Sequence, residues 1–504
     1  MCIDQKNKKD ITSILGKTVI FTLITAILIY CFGNGISGND FWWHIKVGEW
    51  ICENGSIPKT DIFSWYGMEQ EISWTAHEWL SDIIYYLIFH FGGELGIFLF
   101  SLLAAFVMLV LIWRQTEQYI MDNLLVIGLF LALFAVIASM FFYGRPQVFG
   151  FFLFFCELRC LYAFRENDSG KSIYVIPLLA CLWSNLHGGS SNLSYLLCII
   201  FLFAGFFSWN VGCIYAEKMS IRGKVKLVSV SLLSVAAILL NPAGWEMLKY
   251  PYVNMGDKFM LSVISEWRAP DAKNLGELLV YFFPIFLMLI GFFAEKKKIR
   301  FLDLLLMGLF MFLFLRSQRF IILWFIAAVF CAFPYIPLCR VKEIHLKREK
   351  WAVYLFLTVI LIPAGIGVRN MYRSYSDGKL ISKVMTDEMV QVVKNEKPER
   401  IFNDYNLGEA LIYHNLKVFV DGRADMYAAD NILKDAASLM YLIQNNEEET
   451  FYVNVERLFQ KYQFDAVVML KDRAFYTYML SHPENFTCIF EDEISGYFRV
   501  VSKK

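Results

Sequence analysis

From residue 17 to residue 368 one pattern governs the chain: apolar runs recur, each approaching the length of a bilayer-spanning helix, with polar islands between them. In hydrocarbon every backbone amide must find its partner within the spanning segment, so such runs fold as helices and pack as a bundle. They fall near 17–36, 94–113, 123–142, 147–164, 173–187, 192–209, 225–241, 277–294, 301–315, 319–337 and 351–368, about 11 spans by the 20-residue criterion. "SDIIYYLIFHFGG" at 81–93 is too short to span and is expected at the interface. The chain is 57% hydrophobic and 17% aromatic, too apolar for an ordinary soluble protein. Its net charge of zero argues against a nucleic-acid-binding surface. The opening "MCIDQKNKKD" is basic, but the run after it is nearer a full span than a signal core and no A-x-A-like site follows. It is therefore expected to remain as the first transmembrane helix.

The positive-inside rule orients the bundle. "KNKK", "AEKMSIRGKVK", "EKKKIR" and "CRVKEIHLKREK" fall on one side, which places the N-terminus in the cytoplasm and the C-terminal residues outside the cell membrane. The outer side then collects "GNDFWWH", "WTAHEWLSD", "YGRPQ", "WSNLHGG", "NPAGWE", "SEWRAPD" and "RSQR". Aromatic belts and helix caps supply such residues at both faces, whereas these motifs gather on one, as functional loops do. The 11 cysteines lie mostly inside apolar runs and read as small core hydrophobes. Cys52 and Cys488 fall outside the spans, where a disulfide between them is open. The domain organisation expected is a transmembrane domain over 1–375, with a first outer loop at 37–80, and an extracytoplasmic α/β domain over 376–504.

In the first outer loop "DFWWHIKVGEWI" suits an amphipathic helix on the membrane surface. Asp40 and His44 are one turn apart on it, and "WTAHEWL" brings His77 and Glu78 back to the membrane. Asp40, with a second acid such as Glu78, suits a general base on an acceptor hydroxyl, and the histidines suit proton transfer or acceptor binding. Carboxylates near one another at a low-dielectric boundary have raised pKa values. The same Asp/His/Glu set could bind a divalent cation, although its spacing matches no tight metal motif. Asp40 is equally placed to cap the helix that starts at Phe41.

An acidic residue just after span one, followed by an aromatic-rich surface helix, resembles the GT-C superfamily of membrane glycosyltransferases. "NDFWWHIKVGEWI", "IPKTDIFSW", "WTAHEWL", "GRPQ" and "WSNLHGG" carry the resemblance. They look like the bacterial branch related to dolichyl-phosphate-mannose protein mannosyltransferases and lipid A aminosugar transferases. "FNDYNLGEALIYHNLKVFVDGRADMY" is similar to the outer C-terminal domain of those members. The resemblance implies a polytopic α-helical membrane fold, a polyprenyl-phosphate-linked sugar as donor, and inverting transfer at the outer face to a glycan, lipid or protein acceptor. The family's loop-one carboxylate maps to Asp40. Many relatives carry two adjacent acids there; this chain has Asn39 beside Asp40, so the partner acid must come from Glu78, Asp61 or elsewhere.

A lipid-phosphate leaving group needs cations where charge develops. Arg145, Arg316 and Arg319 are the candidates for that role, against the alternative of snorkelling to lipid headgroups. Trp43 and Trp183 offer aromatic faces to a sugar, and Asn185, His187 and Glu266 offer hydrogen bonds. A buried, internally satisfied Asn185–His187 pair is the competing reading. From about 376 onward strands and helices alternate, as in an α/β layer. "PERIFNDYNLGEALIYHNLKVFVDGR" reads strand, helix, strand, and "FTCIFEDEISGYFRVV" reads as a hairpin turning at Ser495–Gly496. Asp421, Arg423 and Asp425 end a strand and read foremost as an internal Asp–Arg pairing. Two other functions compete: a lipid-linked glycan transporter or flippase, disfavoured because few ionisable residues fall mid-span, and a non-catalytic envelope-glycan assembly protein.

Overall fold

A computed structural model describes residues 2–501, apart from 37, 39, 168–169, 257–258, 261–263, 272, 274, 296, 337–349, 382–383, 429–430 and 441–447. Asn39 and most of "CRVKEIHLKREK" therefore lie outside the described residues. The chain divides into two compact units. The first holds residues 1–37, 92–251 and 264–381; the second holds 38–91, 252–263 and 382–504. Residues 376–381 thus group with the first unit and residues 38–91 with the second. The first outer loop belongs with the C-terminal residues, because Trp65 donates its indole N–H to the Ile401 carbonyl (2.9 Å) and Ser64 bridges to Val418.

The first unit is helical. Its hub is the helix Ile321–Cys331, "IILWFIAAVFC", buried at every residue because it is apolar on all sides. Around it the other helices bury one face and leave large apolar side chains exposed, among them Leu103, Leu178, Leu232, Phe293 and Phe312. Two stretches among the described residues, Trp79–Glu117 and Gln147–Glu166, are long and apolar enough to cross a membrane; five further apolar helices are shorter. The spans expected at 94–113 and 123–142 share one helical run, Trp79–Phe141, which also takes in the short segment 81–93. Phe21 packs its ring 5.1 Å from Trp113, while the neighbouring Ile20 lies 3.2 Å from a Cβ built on Gly128. A straight helix would separate residues 113 and 128 by about 22 Å, so the run bends sharply between them. A small sheet, β1 (Trp209–Val211), β2 (Ile214–Ala216) and β3 (Ile299–Arg300), joins two helical connections.

The second unit carries a four-stranded sheet in the order β4 (Ile401–Asn403), β5 (Ala466–Leu470), β7 (Ser495–Val500), β6 (Phe486–Glu491). β4 and β5 are parallel and the rest antiparallel. The strand expected after the helix Gly408–Tyr413 is not a ladder strand. Asn403 takes the place of the ladder: its side-chain oxygen accepts from Phe419 N–H (2.7 Å) and its amide donates to Val420 O (2.7 Å). The β6–β7 hairpin turns at Asp492–Ile494 instead of Ser495–Gly496, because Asp492 accepts from the backbone N–H groups of Ile494 and Ser495.

The tightest helix crossing in the first unit joins Cys2–Phe32 to Lys350–Ser376 through two glycines. A Cβ on Gly367 would stand 2.7 Å from Ile29 O, and one on Gly33 would stand 2.8 Å from Gly367 O. Backbone cannot yield as a side chain does, so Gly367→Val is expected to cost about 1–3 kcal/mol by forcing the helices apart. Gly365, with nothing within 4 Å of its Cβ position, serves as the control. Melting of purified protein in detergent should show Gly367→Val well below wild type and Gly365→Ala near it.

Candidate functional site: a buried acid pair

The helix Phe41–Asn54 buries Phe41, Trp42, Trp43, His44, Ile45, Val47 and Ile51, as its amphipathic pattern requires. Gly48 lets it lie backbone-close on the start of the long helix: a Cβ there would meet Asp82 O at 2.1 Å. One turn away His44 reaches Asp82, Nδ1 to Oδ1 at 2.6 Å. Its other nitrogen faces Glu78 Oε2 at 3.9 Å, and Glu78 Oε1 lies 3.6 Å from His77 Nε2. The structure thus strings Asp82, His44, Glu78 and His77 into one buried row.

Asp40 precedes the helix but does not cap it with its side chain; its backbone is already helical (φ −56°, ψ −26°). Its carboxylate points at Gly422. A Cβ on Gly422 would be 2.9 Å from Asp40 Oδ1, 2.6 Å from Glu409 Oε1 and 3.1 Å from Trp43 Nε1. These groups crowd over one residue because glycine leaves the room. Gly408 makes a second close approach, with Val420 O 2.4 Å from its Cβ position, and so seats the Glu409 helix on the segment that carries Gly422. The fold thus brings Glu409, from the C-terminal part of the chain, to the same glycine as Asp40, whereas Glu78 stands among the histidines.

Glu409 is buried. Burial pushes its carboxyl well above the usual glutamate range, and Asp40 and Asp421 push it further; hydrogen bonds from the backbone N–H groups of Glu409 and Gly422 offset part of this. Tyr405 lies against the same acids and Asp425, its hydroxyl pushed up by burial and then by Asp40, Glu409, Asp421 and Asp425. Glu409 Oε2 and the Trp43 indole N–H are buried without a hydrogen-bond partner. A buried polar atom left unpaired costs about 1–3 kcal/mol, so these two atoms hold unspent bonding capacity beside the pair.

Asp421, in contrast, is fully engaged. Arg423 donates to it from Nε (2.8 Å) and Nη2 (2.6 Å), and Tyr427 donates its hydroxyl. Arg423 Nη1 pairs with Asp61 Oδ1 at 2.8 Å. Asp61 also accepts from Phe63 N–H, Ser64 N–H and the Ser64 hydroxyl. Trp74 and Phe63 cover the guanidinium, at 4.7 and 5.0 Å. Internal pairing thus accounts for the "DGRADMY" cluster. Among the described residues no group of three or more His, Cys, Asp and Glu side chains is arranged to hold a metal ion.

In the first unit Glu266 gathers the candidate phosphate ligands. Arg145 Nη1 donates to it, Tyr143 donates at 3.0 Å, and Arg319 lies close enough to act on its charge. Burial pushes the Glu266 carboxyl up, but Arg145, Arg319 and the two hydrogen bonds outweigh it, and the net direction is down. Arg319 also covers the Trp267 ring at 5.3 Å. Arg316 is exposed at the end of its helix. Trp183 is fully buried, its ring against Phe154 and its N–H on Ser190 (3.1 Å), so it has no face for a sugar to stack on. His187 bonds Ser190 (2.7 Å) and Asn185 donates to Cys181 O (2.8 Å).

No family model matches the chain, and no curated protein matches it. Among solved structures it is similar to the oligosaccharyltransferase of Archaeoglobus fulgidus in its apo form, at 12% sequence identity and a TM-score of 0.49, over 89% of this chain and 69% of that one.

Two outcomes follow from this geometry. Arg423→Ala strands two buried carboxylates and is expected to cost about 3–5 kcal/mol. Arg423→Lys should recover little of this, because one ammonium cannot reproduce the fork that bonds Asp421 twice while pairing in charge with Asp61; thermal melting reads both. Separately, a carboxyl raised on folding keeps its proton longer in the folded chain. The stability it confers is full below the unfolded carboxyl range, about 4.3, and is lost as pH rises through the folded value. Glu409→Gln should flatten that decline in a plot of melting temperature against pH. Parallel curves would mean that Glu409 is ionised throughout.

Proposed function

We propose that the chain is an integral membrane glycosyltransferase that moves a sugar from a polyprenyl-phosphate donor to an acceptor hydroxyl at the outer face of the cytoplasmic membrane. The observation that carries this reading is the pairing of half-buried Asp40 with buried Glu409 beside Gly422. Two close acids in unlike surroundings can divide the labour of proton transfer. Burial and its acidic neighbours raise the Glu409 carboxyl, which favours its neutral form, and Asp40 is assigned as the general base. The acceptor oxygen attacks the anomeric carbon of the donor as Asp40 takes its proton. The bond from that carbon to the phosphate oxygen breaks, the configuration inverts, and the lipid phosphate leaves with the electron pair. Trp43 N–H and Glu409 Oε2 have the capacity to bond a sugar hydroxyl beside the pair. Arg145, Arg316 and Arg319 remain the candidates for the phosphate, with Glu266 as the anion that a phosphate would replace.

The membrane setting is supported by the exposed apolar side chains on helix after helix of the first unit, a surface that suits lipid and not water. Glu157 accepts from Ser194 (2.6 Å) and Asp303 from Tyr162 (2.6 Å) and Tyr335, so these buried carboxylates read as packing elements of the bundle and do not favour a transporter.

The direct test is transfer from a radiolabelled polyprenyl-phosphate sugar into membrane acceptors. Asp40→Asn is expected to reduce turnover by about 100-fold or more, the usual worth of a general base, with donor binding retained. Glu409→Gln keeps the neutral form and should retain most activity, whereas Glu409→Ala should lose it. Full activity in Asp40→Asn would overturn the assignment. For sidedness, the exposed thiols Cys52 and Cys488 of the second unit are native reporters. An impermeant maleimide applied to intact spheroplasts should label the wild type, and labelling should fall away in the Cys52→Ser/Cys488→Ser variant.

A further inference from the structure

A cavity of about 490 Å³ in the second unit has no part in the acid pair. We infer that it is a saccharide-binding site, the seat of the acceptor sugar. Tyr86, Phe89 and Tyr413 bring half-buried aromatic rings to its walls. Tyr413 is fixed from behind by Trp42, ring centroids 4.4 Å apart, and flanked by Phe89 at 6.0 Å. A ring held this way is a preformed platform, so a sugar that stacks on it meets little ordering cost. The volume lies within the range of small-ligand sites, about 300–1,000 Å³.

The polar lining selects the ligand class. Lys46 is paired with Glu49, and the exposed Lys394 reaches the same cavity. Asn415 is set by a left-handed turn (φ 59°) whose N–H bonds Ile412 O at 2.9 Å. An ammonium donates, a carboxylate accepts and an amide does both. Sugar hydroxyls need that mixture, and the apolar C–H face of a pyranose needs the ring. A phosphate seat would favour arginine forks and would not include Glu49.

Placement connects the cavity to the chemistry. Tyr413 ends the six-residue helix that carries Glu409, and Lys46 and Glu49 stand on the helix that Asp40 precedes. The two helices beside the acid pair therefore also contribute to the cavity wall. Sugar binding stands on the cavity alone; its role as the acceptor seat rests on the transfer reading.

Saturation-transfer NMR on the full chain in detergent tests the site with methyl β-glucoside, methyl α-mannoside, chitotriose and glycerol phosphate. At least one sugar should receive saturation on its ring C–H protons. Tyr413→Ala should weaken that binding about five- to ten-fold, the worth of one stacking contact. Lys394→Ala, an exposed change with little call on folding, should weaken it about two- to five-fold, the worth of one hydrogen bond to a charged group in a solvated site. Silence from every sugar, signals unchanged in both cavity variants, or saturation of glycerol phosphate alone would overturn the proposal. Sugar binding by a wild-type protein that performs no transfer would keep the site and sink the transferase reading.

Discussion

The second unit depends on a single buried cation. Arg423 neutralises Asp421 on its own segment and Asp61 in the first outer loop, and two aromatic rings close over it. Burying three charges costs several kcal/mol of desolvation per ion and is tolerable only when every partner is in place. Such a network holds as a whole, so it specifies one arrangement of its segments. Gly422 lies between Asp421 and Arg423. Once those two are fixed, the Gly422 N–H faces the Glu409 carboxylate, and the missing side chain leaves room for Asp40 and Trp43. The geometry of the acid pair is thus inherited from an ion network that itself takes no part in the proposed chemistry.

That dependence explains how two carboxylates come to share a buried space. Unsupported, one would move to solvent or the segment would unfold. Here the proton resolves the conflict: Glu409 is driven toward its neutral form by burial and by its acidic neighbours. The two acids meet although no local sequence signal connects them. The row Asp82–His44–Glu78–His77 sets imidazoles between its acids, and burial and Glu78 raise the Asp82 carboxyl there as well.

Legibility in the sequence followed the range of the interactions. Asp40 was readable because it sits between an apolar run and an amphipathic helix. The pairing within "DGRADMY" was readable because its members lie within six positions of each other. Glu409 was not, since it approaches Asp40 only through the fold. The available signal was indirect: Gly408–Glu409 and Asp421–Gly422 each set an acid beside a glycine at an element end, where backbones meet. Periodicity also misjudged "KVFV", whose ladder is replaced by the Asn403 side chain, a substitution no propensity encodes. Hydropathy located the helices well and their breaks poorly, because the turn near residues 114–125 carries no proline or glycine to mark it. Trp183 reads as a sugar platform by type, but tryptophan is large enough to serve equally as core, and burial decided the matter.

The cluster around Glu266 raises a different physical question. Arginines that await a phosphate would face one another across a low-dielectric gap, and that repulsion needs relief when no ligand is bound. Glu266 supplies it: Arg145 and Arg319 hold its carboxylate in the ionised form, and Tyr143 bonds its second oxygen. On the proposed function, a phosphate arriving there would exchange with a carboxylate of like charge and would not enter an unpaired cationic site. Exchange spares most of the desolvation that de novo burial of a charge demands. It also makes affinity a difference between two anions, in which a phosphate, with more oxygens and more charge, has the advantage over a monovalent carboxylate. A candidate phosphate site that looks occupied by its own protein is, on this argument, consistent with one that binds and releases a charged lipid reversibly.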